Sequence, residues 1–214
     1  MVKDPHGLFA PSRSSKLLLM RHPQTVQNIE ARYQGQTDSA LSTLGEEQRD
    51  RAIAGLISWR PDHLFSSPLS RCLEIARPVA EALQLDLRVD QRLLEMCFGQ
   101  MEGLTHDQAV KKGFGFPWEP GSGIWPIPGA ESIELFTKRL ISVANEISSL
   151  GGRVAAVTHG GVIRGICSYW MHIPSEHLWE MAVRNVESAC FSVDDEGTIF
   201  LEAFGIWPEW LAGI

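Results

Sequence analysis

An apolar run, Leu17-Leu18-Leu19-Met20, ends abruptly in Arg21, His22 and Pro23. A run this short and this apolar suits a strand buried on both faces, as in a parallel sheet. Arg21 and His22 would then stand at the carboxyl end of that strand, the edge where open α/β sheets bind ligands. The proline biases His22 towards extended backbone. Pro23 is suited to open a short helix through Asn28, because a missing N–H does no harm at the first helical position.

The rest of the chain repeats a strand–helix rhythm. Thr43-Leu44-Gly45-Glu46 has the form of a capping box and starts a helix to about Ser58. A strand is expected at His63 to Ser66, followed by Ser67-Pro68 as N-cap and first helical residue. Leu69, Cys72, Ala76, Val79, Ala80 and Leu83 then give one buried helical face. A further strand at Leu85 to Val89, a helix at Glu131 to Leu150 stopped by Gly151, a strand at Arg153 to Thr158 and a helix through Met171 follow. Ser188 to Val193 and Ile199 to Phe204 read as a closing hairpin around Asp195-Glu196-Gly197. This pattern predicts an α/β fold, a three-layer αβα sandwich with a mainly parallel central sheet. Residues 1–15, with Pro5, Gly7 and Pro11, read as a flexible lead-in, and 16–214 as a single domain. Within it, 113–130 is rich in Gly, Pro, Phe and Trp and reads as an insert, either a binding loop or a surface loop pinned by its own aromatics. Gly113 and Gly115 do not complete a dinucleotide fingerprint, since Trp118 stands where the third glycine belongs.

A chain of 214 residues can bury a substantial core, and its net charge of -7 argues against nucleic acid or an anionic membrane as partner. Cys72, Cys97, Cys167 and Cys190 lack metal-ligand or redox spacing and read as buried free thiols in helices or strands. No apolar stretch of signal-peptide form is visible in Met1 to Ser15, and no run has transmembrane length. The expectation is a cytoplasmic protein without cofactor or metal. The C-terminal Trp207 and Trp210 must pack on the core or be covered by a second copy, and a homodimer is the alternative kept open.

The polar residues at the strand ends carry the chemistry. His22 and His159 both follow buried strands, so both would project from one edge of the sheet. Gly160 and Gly161 would let the next helix start approach an anion closely. Arg71 lies in the first turn of a helix, where the macrodipole disfavours a cation unless an anion is bound nearby; pairing with Glu74 is the other explanation. Arg21 offers a second guanidinium fork for phosphate oxygens. Glu95, among Leu93, Leu94, Met96 and Phe98, is in the kind of setting that prepares a general acid, unless it is a solvated loop residue.

Together these residues carry a resemblance. Arg21-His22-Pro23-Gln24-Thr25 with Asn28, Ser66-Ser67-Pro68-Leu69-Ser70-Arg71, Glu95 with Phe98-Gly99 and Glu102-Gly103, and Thr158-His159-Gly160-Gly161 resemble the histidine phosphatase superfamily, in its phosphoglycerate-mutase-like branch. Gln34-Gly35, Asp38, Leu41, Gly45 and Gly129 to Ser132 also resemble family positions. The resemblance implies that His22 is a nucleophile forming a phosphohistidine. Arg21, Asn28, Arg71 and His159 would hold the phosphoryl group, and Glu95 would protonate the leaving group and then activate water, without a metal. It also implies a hydrogen bond that fixes the tautomer of His22. The departure is Pro23, where the family motif has glycine. Proline supplies no N–H and keeps φ near −65°, so any role needing either is lost. The mutases of the family carry a longer, basic insertion between the acid and the segment matching Glu131. Here Met96 to Ala130 has only Lys111 and Lys112 as cations, which favours a phosphatase for a small, partly apolar phosphate ester. A mutase, or a phosphate-binding protein with little turnover, stands as the alternative.

Overall fold

The structure, a computed structural model, describes residues 13–116, 119 and 121–214. The strands are β1 (Arg13–Arg21), β2 (His63–Ser66), β3 (Leu87–Val89), β4 (Gly152–Thr158), β5 (Ser188–Asp194) and β6 (Ile199–Ile206). They form one sheet in the order β3-β2-β4-β1-β5-β6. β1 pairs in parallel with β4, β4 with β2 and β2 with β3, while β5 and β6 run antiparallel. The helices are α1 (Val26–Ile29), α2 (Thr43–Trp59), α3 (Ser70–Leu83), α4 (His106–Lys111), α5 (Ile133–Ser149) and α6 (Gly160–Met171).

The apolar run of β1 explains the layering. Side chains alternate across a strand, so Leu17 and Leu19 enter the cluster with Phe136 and Leu140 of α5 and Ile163 of α6. Leu18 and Met20 enter the opposite cluster, with Leu56 of α2 and Ile75 and Val79 of α3. Both faces are covered, which is the expected three-layer αβα sandwich with a mainly parallel sheet. No described helix is long and apolar enough to cross a membrane. The C-terminal turn Pro208–Gly213 packs Pro208 and Leu211 on this second layer, with Trp207 against it, while Trp210 stays exposed.

Several element ends differ from expectation for local reasons. β1 begins at Arg13, so the lead-in's last residues are strand; residues 1–12 lie outside the described residues. Pro23 does not open α1: Thr25 is its N-cap, in a capping box with Asn28. α2 is capped by Ser42, whose hydroxyl accepts the Gly45 N–H at 3.0 Å, one residue before the expected Thr43. α3 begins at Ser70, after Ser67-Pro68, with no cap from its own N-cap residue Leu69. The carboxylate of Asp38 does that work from another loop, accepting the Ser70 N–H at 3.1 Å and its hydroxyl at 2.8 Å. Ser67 is thereby left for the site. Cys72, Cys167 and Cys190 are buried in α3, α6 and β5, but Cys97 is partly exposed in a loop.

A cap supplied from a distant loop makes a testable claim. Asp38→Ala should lower unfolding stability by about 1 kcal/mol, the usual worth of an N-cap, measured by urea denaturation. An unchanged midpoint would mean that Asp38 does not cap α3.

Candidate active site

The sheet itself assembles the site. The chain leaving β1 runs to β2 on one side, and the chain leaving β4 runs to β5 on the other. The reversal opens a crevice at the carboxyl ends of β1 and β4, the place where open α/β sheets bind ligands. Arg21 lies opposite Thr158 in the parallel register, so His22 and His159 follow two neighbouring strand ends. The His22 N–H donates to the Thr158 carbonyl at 2.9 Å, and the two imidazoles stand 5.2 Å apart between centroids. On the next strand, the Ser67 N–H donates to the Val157 carbonyl at 2.9 Å, which brings Ser67 alongside His159.

Each imidazole is fixed by one bond. His22 Nδ1 lies 2.7 Å from the carbonyl oxygen of Pro23. A carbonyl only accepts, so Nδ1 carries the proton and Nε2 keeps its lone pair. His159 Nε2 lies 2.7 Å from Ser67 Oγ. That oxygen also accepts the Leu69 N–H at 3.5 Å. His159 Nδ1 is buried with no partner among the described residues. Burial, then the charges of Arg71 and Arg21, hold His22 well below the usual 6.5, and burial does the same to His159. Both are neutral at physiological pH. Cys72 also lies beside His159, but burial pushes its thiol up to about 12.

Two guanidinium groups flank the histidines. Arg71 is buried, 1% exposed, and is held by carbonyls: Nη1 donates to Thr37 and Nη2 to Gly35, each at 2.8 Å. Asp38 comes within 3.8 Å, whereas Glu74 pairs with Arg49 and not with Arg71. The supporting loop is tied down by Glu102, which accepts the N–H groups of Gln36 at 3.0 Å and Thr37 at 2.8 Å. Gly35, at φ +54°, has to be glycine: a Cβ there would lie 2.1 Å from Glu102 Oε1. Arg21 donates to the Val183 carbonyl at 2.6 Å, and burial lowers it to about 10, so it stays charged near neutrality. The Nε atoms of Arg21 and Arg71 are buried without a partner among the described residues.

Glu95 sits at the start of α6. Its carboxylate accepts the Gly161 N–H at 3.0 Å and the Met96 N–H at 2.9 Å. A Cβ on residue 161 would lie 2.2 Å from Glu95 Oε1, so the close approach that this glycine permits is to Glu95. Arg139 of α5 buttresses the loop. It pairs with Glu131 at 2.7 Å and donates to the carbonyls of Arg92, Leu94 and Glu95. Asn28 spends its amide oxygen on the Thr25 N–H and on Asn185 Nδ2, leaving its NH2 as the group that can meet a ligand.

Arg21, His22, Asn28, Arg71 and Glu95 all line one cavity of about 210 Å³. His159 does not line it; it is fully buried, next to His22. Arg32, Tyr33, Gln34, Phe98, Arg164 and Trp179 complete the wall. Ser67, Arg139, Arg164 and Asn185 had no signal in the sequence that singled them out, because each acts through a contact with a distant segment. A larger open groove of about 640 Å³ between α2 and α3 holds none of the predicted site residues.

Comparison with known proteins decides the family. The model of the histidine phosphatase superfamily (branch 1) matches residues 17–204. The chain belongs to the histidine phosphatase superfamily. It is 32% identical over 173 residues to a candidate phosphoserine phosphatase of Hydrogenobacter thermophilus, covering 79% of this chain and 85% of that one. A glucosyl-3-phosphoglycerate phosphatase of Mycobacterium tuberculosis is also 32% identical, over 76% of this chain and 78% of that one. A candidate phosphoglycerate mutase of Salmonella paratyphi C is 29% identical over 79% of this chain and 81% of that one. Among solved structures, one described as mycobacterial hydrolase 1 has 28% identity and a TM-score of 0.79, covering 90% of this chain and 99% of that one. The enzyme is a phosphatase of the histidine phosphatase type, a metal-independent family.

Within the histidine phosphatase frame, Pro23 is still the departure, with no N–H to offer a phosphate. Its φ is not in the left-handed region, and the position supplies the carbonyl that orients His22. The fixed φ of proline holds that carbonyl in place. The insert at 113–130 also takes a definite position. Phe116 stacks 4.8 Å from His106 and packs 5.7 Å from Tyr33, and Trp125 packs 6.5 Å from Phe98. It backs the aromatic wall, but none of its described residues lines the cavity.

The buried neutral histidines set a pH dependence. Below about 6.5 the unfolded chain takes up protons that the folded chain refuses, so stability is lost as pH falls through that range. Thermal midpoints measured from pH 7.5 to 5.5 should decline, and less steeply in a variant carrying His22→Gln and His159→Gln. Equal slopes in both proteins would refute the assignment of neutral imidazoles.

Proposed function

We propose that the protein is a phosphomonoester hydrolase whose nucleophile is Nε2 of His22 and whose substrate is a small phosphorylated metabolite. The observation that carries this reading is the pair of buried guanidinium nitrogens without partners among the described residues, Arg21 Nε and Arg71 Nε, beside one neutral histidine. Unpaired buried donors of this kind are costly unless a ligand rich in acceptors satisfies them, and a phosphoryl group has three acceptor oxygens to offer.

In the first step Nε2 attacks phosphorus, the bond to the leaving oxygen breaks, and Glu95 gives that oxygen a proton. Arg21, Arg71 and the Asn28 amide balance the charge on the phosphoryl oxygens. In the second step water attacks the phosphohistidine, Glu95 takes its proton, and inorganic phosphate leaves with His22 restored. The Pro23 carbonyl keeps Nε2 unprotonated throughout, and Ser67 holds the His159 ring in place. A hydrolase is favoured over a mutase because the two relatives at 32% identity described above carry phosphatase names, and because Lys111 and Lys112 are the only Lys or Arg between Glu95 and Glu131.

The test is turnover of p-nitrophenyl phosphate without added metal. His22→Ala should abolish it. Glu95→Gln should slow an alkyl phosphate by about 100-fold or more while slowing the p-nitrophenyl ester far less, since nitrophenolate leaves without a proton. Hydrolysis that persists in His22→Ala would overturn the nucleophile. Phosphate binding without turnover of any ester would favour a binding protein, and isomerisation of 3-phosphoglycerate in the presence of bisphosphoglycerate would favour a mutase.

A further inference from the structure

Asn28 lines the cavity, yet the way its amide faces depends on a residue that does not. Asn185 lies outside the cavity wall, half-buried in the stretch that leads into β5. Its Nδ2 donates to the His22 carbonyl at 3.0 Å and to Asn28 Oδ1 at 3.2 Å. These partners fix both amides. A carbonyl oxygen only accepts, so the atom of Asn185 that meets His22 is its nitrogen. The Thr25 N–H only donates, at 3.1 Å, so the atom of Asn28 that meets it is its oxygen. Two donors thus converge on Asn28 Oδ1, one from its own helix cap and one from Asn185, and the NH2 group is left for the cavity.

The backbone around Asn185 is shaped to bring it there. Residues 184–187 form a turn in which the Glu187 N–H donates to the Arg184 carbonyl at 3.1 Å, while Glu187 Oε2 accepts the Arg184 N–H at 2.7 Å. Val186, the third residue of that turn, has φ +58°, a conformation that glycine or asparagine takes readily and a β-branched residue rarely. Its N–H meets the carbonyls of Arg21 at 3.1 Å and His22 at 3.4 Å, and its side chain is fully buried. A residue kept in so unfavourable a conformation is over-determined by its surroundings, as is common at functional sites. The same stretch gives the Val183 carbonyl to the Arg21 guanidinium. It therefore ties together the backbone of His22, the side chain of Arg21 and the amide of Asn28.

We infer that Asn185 is a positioning residue for the phosphoryl group: it locks the Asn28 amide in the orientation that offers NH2, and not oxygen, to the phosphoryl oxygens. Were that amide to turn over, its oxygen would face the anion and a donor would be lost. Without Asn185, only the Thr25 N–H opposes the turn, at the start of a helix of four residues. This inference rests on the proposed hydrolase, in which Asn28 helps to hold the phosphoryl group.

The experiment is a set of Asn185 variants and a double-mutant cycle with Asn28. Asn185→Asp keeps the shape but accepts where the amide donates. It should draw the Asn28 NH2 towards itself and cost at least about tenfold in kcat/KM for p-nitrophenyl phosphate. Asn185→Ala should cost about threefold to tenfold, the scale of one hydrogen bond. A packing role predicts the opposite order, with Asp tolerated and Ala not. In the Asn28→Ala background, Asn185→Ala should change kcat/KM by less than about twofold, because no amide is left to orient. The same cycle read in the affinity for inorganic phosphate, by calorimetry, should show the same coupling without needing turnover. Effects that multiply in the cycle, or an Asn185→Asp variant as active as wild type, would overturn the inference. Phosphate binding without hydrolysis of any ester would fail the hydrolase reading alone, and the phosphate cycle would then decide Asn185. A chain that neither hydrolyses an ester nor binds phosphate would overturn both.

Discussion

A buried guanidinium held by carbonyl oxygens instead of a carboxylate is the constraint on which the site depends. Arg71 is anchored by Gly35 and Thr37 through neutral groups, and Asp38 approaches no nearer than 3.8 Å. Burying a cation costs several kcal/mol unless charge or well-formed hydrogen bonds offset it. Here the offset is partial, and on the proposed function a phosphoryl group makes good the shortfall. The surrounding architecture follows from that arrangement. Glu102 shapes the loop that presents the two carbonyls, Gly35 makes room for Glu102, and Asp38 fixes the start of the helix that carries Arg71. The same cation, with Arg21 and burial, keeps His22 neutral, which is the state a nitrogen nucleophile needs.

The central part of the fold was legible because it depends on local pattern. Leu17 to Met20 had to be buried on both faces, and the strand at His63–Ser66 appears where the sequence places it. What was not legible is what depends on partners far away in sequence. The cap of α3 comes from Asp38, over thirty residues earlier, so Ser67-Pro68 looked like a helix start. A capping box that is one residue out of register at Ser42 and Thr43 reflects two adjacent hydroxyl residues, either of which fits the local rule.

The site shows the same division. His22, Glu95, Arg21, Asn28 and Arg71 line one cavity, and the two histidines meet because β1 and β4 are neighbours. No local rule names Ser67 as the group that holds the His159 ring, or Arg139 as the support for the Glu95 loop, since both act across the molecule. Gly161 was legible as a place of close approach, though the group approached is the Glu95 carboxylate. Pro23, the one departure from the family motif, is understood only once its carbonyl is seen to accept the proton of His22 Nδ1.

The chemistry that follows is narrow. With Nδ1 committed to a carbonyl, phosphorus can be attached to His22 only at Nε2. The direct measurement is the site and regiochemistry of the phosphoenzyme, trapped by rapid denaturation during turnover and read by peptide mass spectrometry and by nuclear magnetic resonance of 15N-histidine protein. The account predicts phosphate on Nε2 of His22. Phosphate on Nδ1, on another residue, or no phosphoenzyme during turnover would contradict it.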